Sequence, residues 1–268
     1  MLIPLVLGLA VGLILGLTGA GGGILAVPLL VFGSRIGVAQ AGPIALMAVG
    51  MAAALGAVLG LRAGAVRYRA AVVIAASGMA CSPAGLWLAH RSPNRWLGAL
   101  FALTMLYVAF ATFGKARGRG ACAADAGTRS RTCACVRDAA SGRFIWTRAC
   151  ARSLILTGAC AGFLSGLLGV GGGFVMVPAL RRYTDLPMPS AVATSLAVIA
   201  LISAAGVAAS AAGGTLVWSV AAPFSAGALA GMLGGRAACT RLPGAHVQIA
   251  FAAVAAVVAV GMLARVML

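Results

Sequence analysis

From Val38 to Leu61 the chain runs 24 residues without a charged side chain. Ala70–Ala89 and Leu97–Phe113 repeat the pattern, and as helices such runs are about long enough to cross the hydrocarbon of a bilayer. The whole sequence is 62% hydrophobic and 9% charged, with a mean hydropathy of +1.08. No ordinary soluble domain has that composition. The reading is an all-α polytopic membrane protein. Met1–Gly16 has no Lys or Arg ahead of its apolar core and leads directly into a glycine motif. It therefore reads as a first membrane element, not a cleaved signal.

The chain is a duplication. Gly16–Leu30 (GLTGAGGGILAVPLL) and Gly166–Leu180 (GLLGVGGGFVMVPAL) agree at nine of fifteen positions, at an offset of 150. At the same offset Gly8 and Gly12 match Gly158 and Gly162, Gly64 matches Gly214, and Arg91 matches Arg241. Each half holds about four hydrophobic segments, eight in all. The predicted organisation is a first membrane repeat over 1–113, a basic connecting loop over 114–148 and a second membrane repeat over 149–268. The loop is rich in Arg, Gly, Ala and Ser and is expected to be a flexible connector, with Gly142–Trp146 a locally ordered piece.

Glycine runs inside a membrane segment need a reason, because each glycine costs a helix up to ~1 kcal/mol relative to alanine. Pro28 and Pro178 then remove a further donor each and are expected to help break the helix. Loosened backbone is tolerated in hydrocarbon only where it is buried in protein or lines a cavity. Broken helices at matching places in two halves point to a transporter's substrate site. At the start of a half-helix, bare N–H groups and the helix dipole favour an anion. Gly21, Gly22 and Gly23, with Gly171, Gly172 and Gly173, are the candidate anion cradles. Gly8, Gly12 and Gly16, spaced by four, carry the helix-packing signature instead.

Charge placement sets the topology. The net charge is +17, and nine of the twenty basic residues fall between Lys115 and Arg152. The rest mostly flank hydrophobic runs, which is a membrane pattern and not a nucleic-acid-binding domain. If each glycine segment spans the membrane once, the halves are parallel and the basic residues divide thirteen to seven. If each dips in and returns, the repeats are inverted and the division is sixteen to four. Both versions put the central loop in the cytoplasm of an inner (plasma) membrane protein, and the second obeys the positive-inside rule better.

Only Asp125, Asp138 and Asp185 are acidic, and none lies in a hydrophobic segment. This argues against a metal-cation carrier, a carboxylate proton relay and a membrane-embedded enzyme. His90 and His246 sit at segment ends and read as interfacial. Cys122, Cys133, Cys135 and Cys150 match no common zinc-ligand spacing and read as reduced thiols in a cytoplasmic loop. No cofactor or metal is implied. The expected partners are a small anion and membrane lipids, with no nucleic acid; a homo-oligomer is compatible. The rival reading is a non-transporting membrane scaffold whose glycines only pack helices.

The doubled glycine-proline motif, with Leu186–Ile199 (LPMPSAVATSLAVI) after the second copy, resembles the TauE/SafE family of sulfite and organosulfur anion transporters. The resemblance covers both hydrophobic halves. It implies an inner-membrane transporter of sulfite or a related sulfonate anion. It also draws attention to Thr194 and Ser195, which in the first half are replaced by Ile44 and Ala45. Those hydroxyls either touch the anion or bond back to their own helix. An anion leaving a negative-inside cell gains about 2.3 kcal/mol per charge per 100 mV, so export needs no coupling residue and is favoured over uptake.

Overall fold

The computed structural model describes residues 2–19, 22–34, 36–116, 135, 147–184, 188–214, 217–239 and 253–263. The first half holds α1 (Leu2–Thr18), a 3-10 turn (Gly22–Leu25), α2 (Ala26–Ser34), α3 (Val38–Arg62), α4 (Tyr68–Arg91) and α5 (Asn94–Ala116). The second holds α6 (Arg148–Leu168), α7 (Gly173–Tyr183), α8 (Met188–Ala212) and α9 (Trp218–Cys239), followed by α10 (Ala253–Leu263). Gln40–Arg62, Tyr68–Ala89, Arg148–Leu168 and Pro189–Ala212 are each long and apolar enough to cross a membrane. Helix α5 runs three residues past the expected end of the first repeat, at 113, and α6 begins at Arg148, one residue before the expected start of the second.

Each glycine segment is a hairpin. In the first half the chain turns back after Thr18, so that a methyl group on Gly22 would lie 2.6 Å from Leu15 Cα, and one on Gly33 would meet the Leu7 side chain. In the second, a methyl on Gly172 would lie 2.6 Å from Ala161 O. The turns fall at the glycines. Pro28 and Pro178 sit inside the returning helices α2 and α7, where each removes one backbone donor without being the point of breakage. With 11 residues, α7 is about 16 Å long, roughly half a hydrocarbon core. The glycine turn ahead of it, packed against Ala161 of α6, therefore places its N-terminus near mid-depth.

The directions of packed helices settle the relation of the halves. Along α3 and α8, Gly50 faces Ser203, Gly56 faces Leu196 and Gly60 faces Ala193, while Gly206 faces Leu46. One number falls as the other rises, so these equivalent helices cross antiparallel. The repeats are inverted, as a pair of re-entrant hairpins requires. Parallel packing joins the halves elsewhere. Gly12 of α1 rests on Ala228 of α9, and Gly16 on Met232. By the same symmetry Gly158 of α6 rests on Ile74 of α4, and Gly166 on Ser82. Each half thus lends its hairpin to the other half's fourth helix.

These contacts are backbone to backbone. A methyl on Gly16 would lie 2.8 Å from Met232 O, and methyls on Gly8, Gly12 and Gly162 would overlap a facing main chain. The packing role read for Gly8, Gly12 and Gly16 is what the structure shows. The opposing glycines Gly227, Gly231 and Gly235 of α9 complete the interface against Leu5, Leu9 and Leu13. Small residues let membrane helices approach until main chains touch, replacing the hydrophobic drive that lipid cannot supply. The outer faces carry exposed Leu103, Phe110, Leu156 and Val257, as lipid-facing surfaces do.

Most of the connecting loop, including Cys122, Cys133 and Gly142–Trp146, lies outside the described residues. Cys135 and Cys150 form a disulfide, so the reading of these two thiols as reduced is corrected. Cys135 also pairs in an isolated bridge with Thr184, just past α7. The disulfide therefore clamps the base of the second hairpin, joining the start of α6 to the end of α7. Sequence spacing could not reveal this, because Thr184 reaches Cys135 only through the hairpin.

Candidate functional site: two glycine turns that meet at mid-depth

The first turn opens at Gly19, in the left-handed region with φ 83°, whose N–H donates to Leu15 O at 2.8 Å. Thr18 then fastens it. Its hydroxyl donates to Ile14 O at 2.7 Å and accepts from the Gly22 N–H at 3.1 Å. Gly22 and Gly23 are buried, while Gly21 lies outside the described residues. One of the candidate anion donors, the Gly22 N–H, is thus already engaged within its own turn.

The second turn is built differently. Gly171 and Gly172 both take left-handed conformations, with φ 75° and 66°, which a side chain with a Cβ adopts only at a cost of about 1–2 kcal/mol. Gly172 caps α7, and its carbonyl accepts from the Val175 and Met176 N–H groups at 3.2 and 3.3 Å. Leu168 stands where Thr18 stands in the first half, so no hydroxyl from that position reaches for the Gly172 N–H. The passage from left-handed Gly172 into helical Gly173 directs successive N–H groups into one concavity at the positive end of the α7 dipole.

The two turns converge on α3. Methyl groups on Gly23 and Gly171 would lie 3.1 and 3.4 Å from the same atom, Val49 Cγ1, and the Gly23 position is 3.0 Å from Val170 O. The pairing of glycine motifs that the duplication implied is therefore a spatial one. A small cleft beside the second turn, lined among others by Gly42, Leu46, Gly166 and Gly169, holds about 10 Å³. That is about the room of one water, so an anion of several heavy atoms enters only if the turns part.

Thr194 and Ser195 are fully buried on α8 but stand away from this junction, near the start of their helix. Thr194 Oγ1 accepts from the Arg67 N–H at 3.2 Å. Ser195 Oγ donates to Val192 O at 2.8 Å, which is the back-bonded arrangement. Val192 is the side chain that a methyl on Gly19 would meet, so this polar pair borders the first turn.

Sequence reasoning passed over a different hydroxyl. Ser203 is completely buried, and its Oγ has no hydrogen-bond partner among the described residues. Helical Ser77 and Ser210 bond back to carbonyls of their own helices; Ser203 instead lies 3.1 Å from the Cβ position of Gly171. Ser82 and Ser165, also buried and without a partner among the described residues, belong to the helices around the same hairpin. Their counterparts 150 residues away are Ala53, Met232 and Leu15, none with a hydroxyl. An unsatisfied buried polar group costs about 1–3 kcal/mol; Ser34 of α2 and Ser225 of α9, beside the first hairpin, carry that cost too, and Ser203 is distinguished by its closeness to the turn glycine Gly171. The available signal was the mismatch of Ser203 with Ala53 in the duplication.

Comparison with known proteins agrees with this architecture. Residues 4–262 match the family described as Sulfite exporter TauE/SafE. A probable membrane transporter protein of Xylella fastidiosa strain Temecula1 is 30% identical over 239 residues, covering 87% of this chain and 82% of that protein. Its namesake in strain 9a5c is 30% identical over 227 residues, covering 82% and 78%. A probable membrane transporter protein of Methanocaldococcus jannaschii is 50% identical over 52 residues, 19% of each chain. No solved structure matches. With inverted repeats, paired re-entrant hairpins and a family match over nearly its whole length, this chain belongs to the TauE/SafE family of membrane transporters.

Proposed function

We propose that this transporter exports a small sulfur oxyanion, sulfite or an organosulfonate, across the inner membrane without a coupling ion. The observation that carries the reading is the meeting of two glycine turns at mid-depth, with the N-terminus of α7 presenting backbone N–H groups there. Gly23, Gly171, Gly172 and Gly173 are the proposed binding backbone, with Gly21 and Gly22 contributing from the first turn once it parts from the second. Thr194 accepts from the Arg67 N–H and keeps its own proton to offer an anion near the first turn, whereas Ser195 spends its proton on Val192 O. The family description supports sulfite as cargo, and the lack of acidic residues in the hydrophobic segments supports an anion over a cation.

Inverted repeats assign sixteen of the twenty basic residues to segments on the face that carries the central loop. By the positive-inside rule we read that face as cytoplasmic. Potential-driven efflux from proteoliposomes tests the proposal. Sulfite or sulfonate release should accelerate when the interior is made negative, with about 2.3 kcal/mol per charge available at 100 mV. Absence of flux for every sulfur anion tried, in correctly inserted protein, would overturn it.

A further inference from the structure

We infer that Ser203 supplies the side-chain hydrogen bond by which the second glycine turn recognises an oxyanion. This deepens the proposed function and rests on it. The hydroxyl is fully buried, has no partner among the described residues, its own helix's carbonyls included, and lies 3.1 Å from the Cβ position of Gly171. Buried polar groups without partners are rare, and each calls for an explanation. Here the explanation is a guest. As a donor, Ser203 complements the N–H groups of Gly172 and Gly173, so an oxyanion would meet backbone donors from α7 and a hydroxyl from α8. The symmetric position holds Ala53, so at this level the side-chain hydroxyl comes from the second half alone, while both turns contribute backbone.

The chemistry gives an unusual pair of signs. Removing an orphaned hydroxyl relieves the unliganded protein, whereas removing a donor to a charged ligand weakens binding. Ser203→Ala should therefore unfold at a higher temperature than the parent in the absence of anion. Its sulfite dissociation constant, read from thermal shifts in detergent, should rise about tenfold or more. Ser203→Cys, nearly isosteric and still a weak donor, should fall between the two. Ser210→Ala, which removes a hydroxyl bonded to Gly206 O, should leave sulfite affinity unchanged.

Unchanged sulfite affinity in Ser203→Ala would overturn the role of Ser203 and leave the proposed function intact. A lower melting temperature together with lost binding would also overturn it, by making the hydroxyl structural. A parent protein that neither binds nor moves sulfite or any sulfonate would overturn the proposed function, and the role of Ser203 with it.

Discussion

Two glycines three residues apart on α9 should respond to the same substitution with different outcomes. Gly231 is buried, and a methyl there would lie 2.7 Å from Leu13 N and 3.0 Å from Leu9 C. Both are main-chain atoms, so no side chain can rotate away; α1 must move off α9 by roughly 1 Å to restore ordinary contact. Gly234 is exposed on the same helix, and a methyl there would meet nothing within 4 Å. In Gly231→Ala and Gly234→Ala the gain in helix propensity, up to ~1 kcal/mol, is common to both and cancels in the comparison. What remains is the overpacking cost, about 1–3 kcal/mol. At about 2–4 °C per kcal/mol for a chain near this size, Gly231→Ala should melt several degrees below Gly234→Ala. Thermal unfolding of the two proteins in one detergent measures the difference. Equal melting temperatures would refute the main-chain contact between α1 and α9, and with it the exchange of hairpins between halves.

Inversion itself can be tested with short epitope insertions at the exposed turns Gly64 and Gly214, where neither glycine has a neighbour within 4 Å. The tags should be reachable from opposite faces of the membrane; access from one face would restore parallel repeats. Cys150→Ser should lower stability by about 3 kcal/mol, from a disulfide that joins residues 15 apart in sequence. It should also abolish the mobility difference between reduced and non-reduced protein on a gel that is attributable to this bond. Leu103→Arg, placing a charge on an exposed position of α5, should cost about 2.5–3.5 kcal/mol of insertion if that face meets lipid, measured as the inserted fraction in a translocation assay. Gly172→Val should destabilise the second hairpin whatever it does to transport, since it combines left-handed strain with a clash on Ala161 O. For that reason it reports on the turn's geometry and not on anion binding.

The sequence alone determined the solvent, the repeat and the places where helices break. Uncharged runs such as Val38–Leu61 require burial in a bilayer or a large core, and glycines at a fixed offset of 150 mark both the duplication and the turns. The packing role of Gly8, Gly12 and Gly16 was legible too, because spacing by four defines one helix face. Tertiary structure decided which helix that face meets, which is α9 of the other half. It decided the inversion as well: a hydrophobic pattern reads alike in either direction across a membrane and the charge bias only favoured inverted repeats, whereas the antiparallel pairing of Gly50 with Ser203 and Gly60 with Ala193 shows them. It joined Cys135 to Cys150 and Thr184 through a hairpin closure invisible to spacing. Finally, it separated Ser203 from Ser195. The two lie on one apolar helix and look alike as letters, but Ser195 spends its proton on Val192 O while Ser203 faces a glycine turn more than 30 residues away in sequence. Hydrogen bonding inside a helix is local and can be anticipated; the neighbour supplied by another segment exists only once the chain has folded.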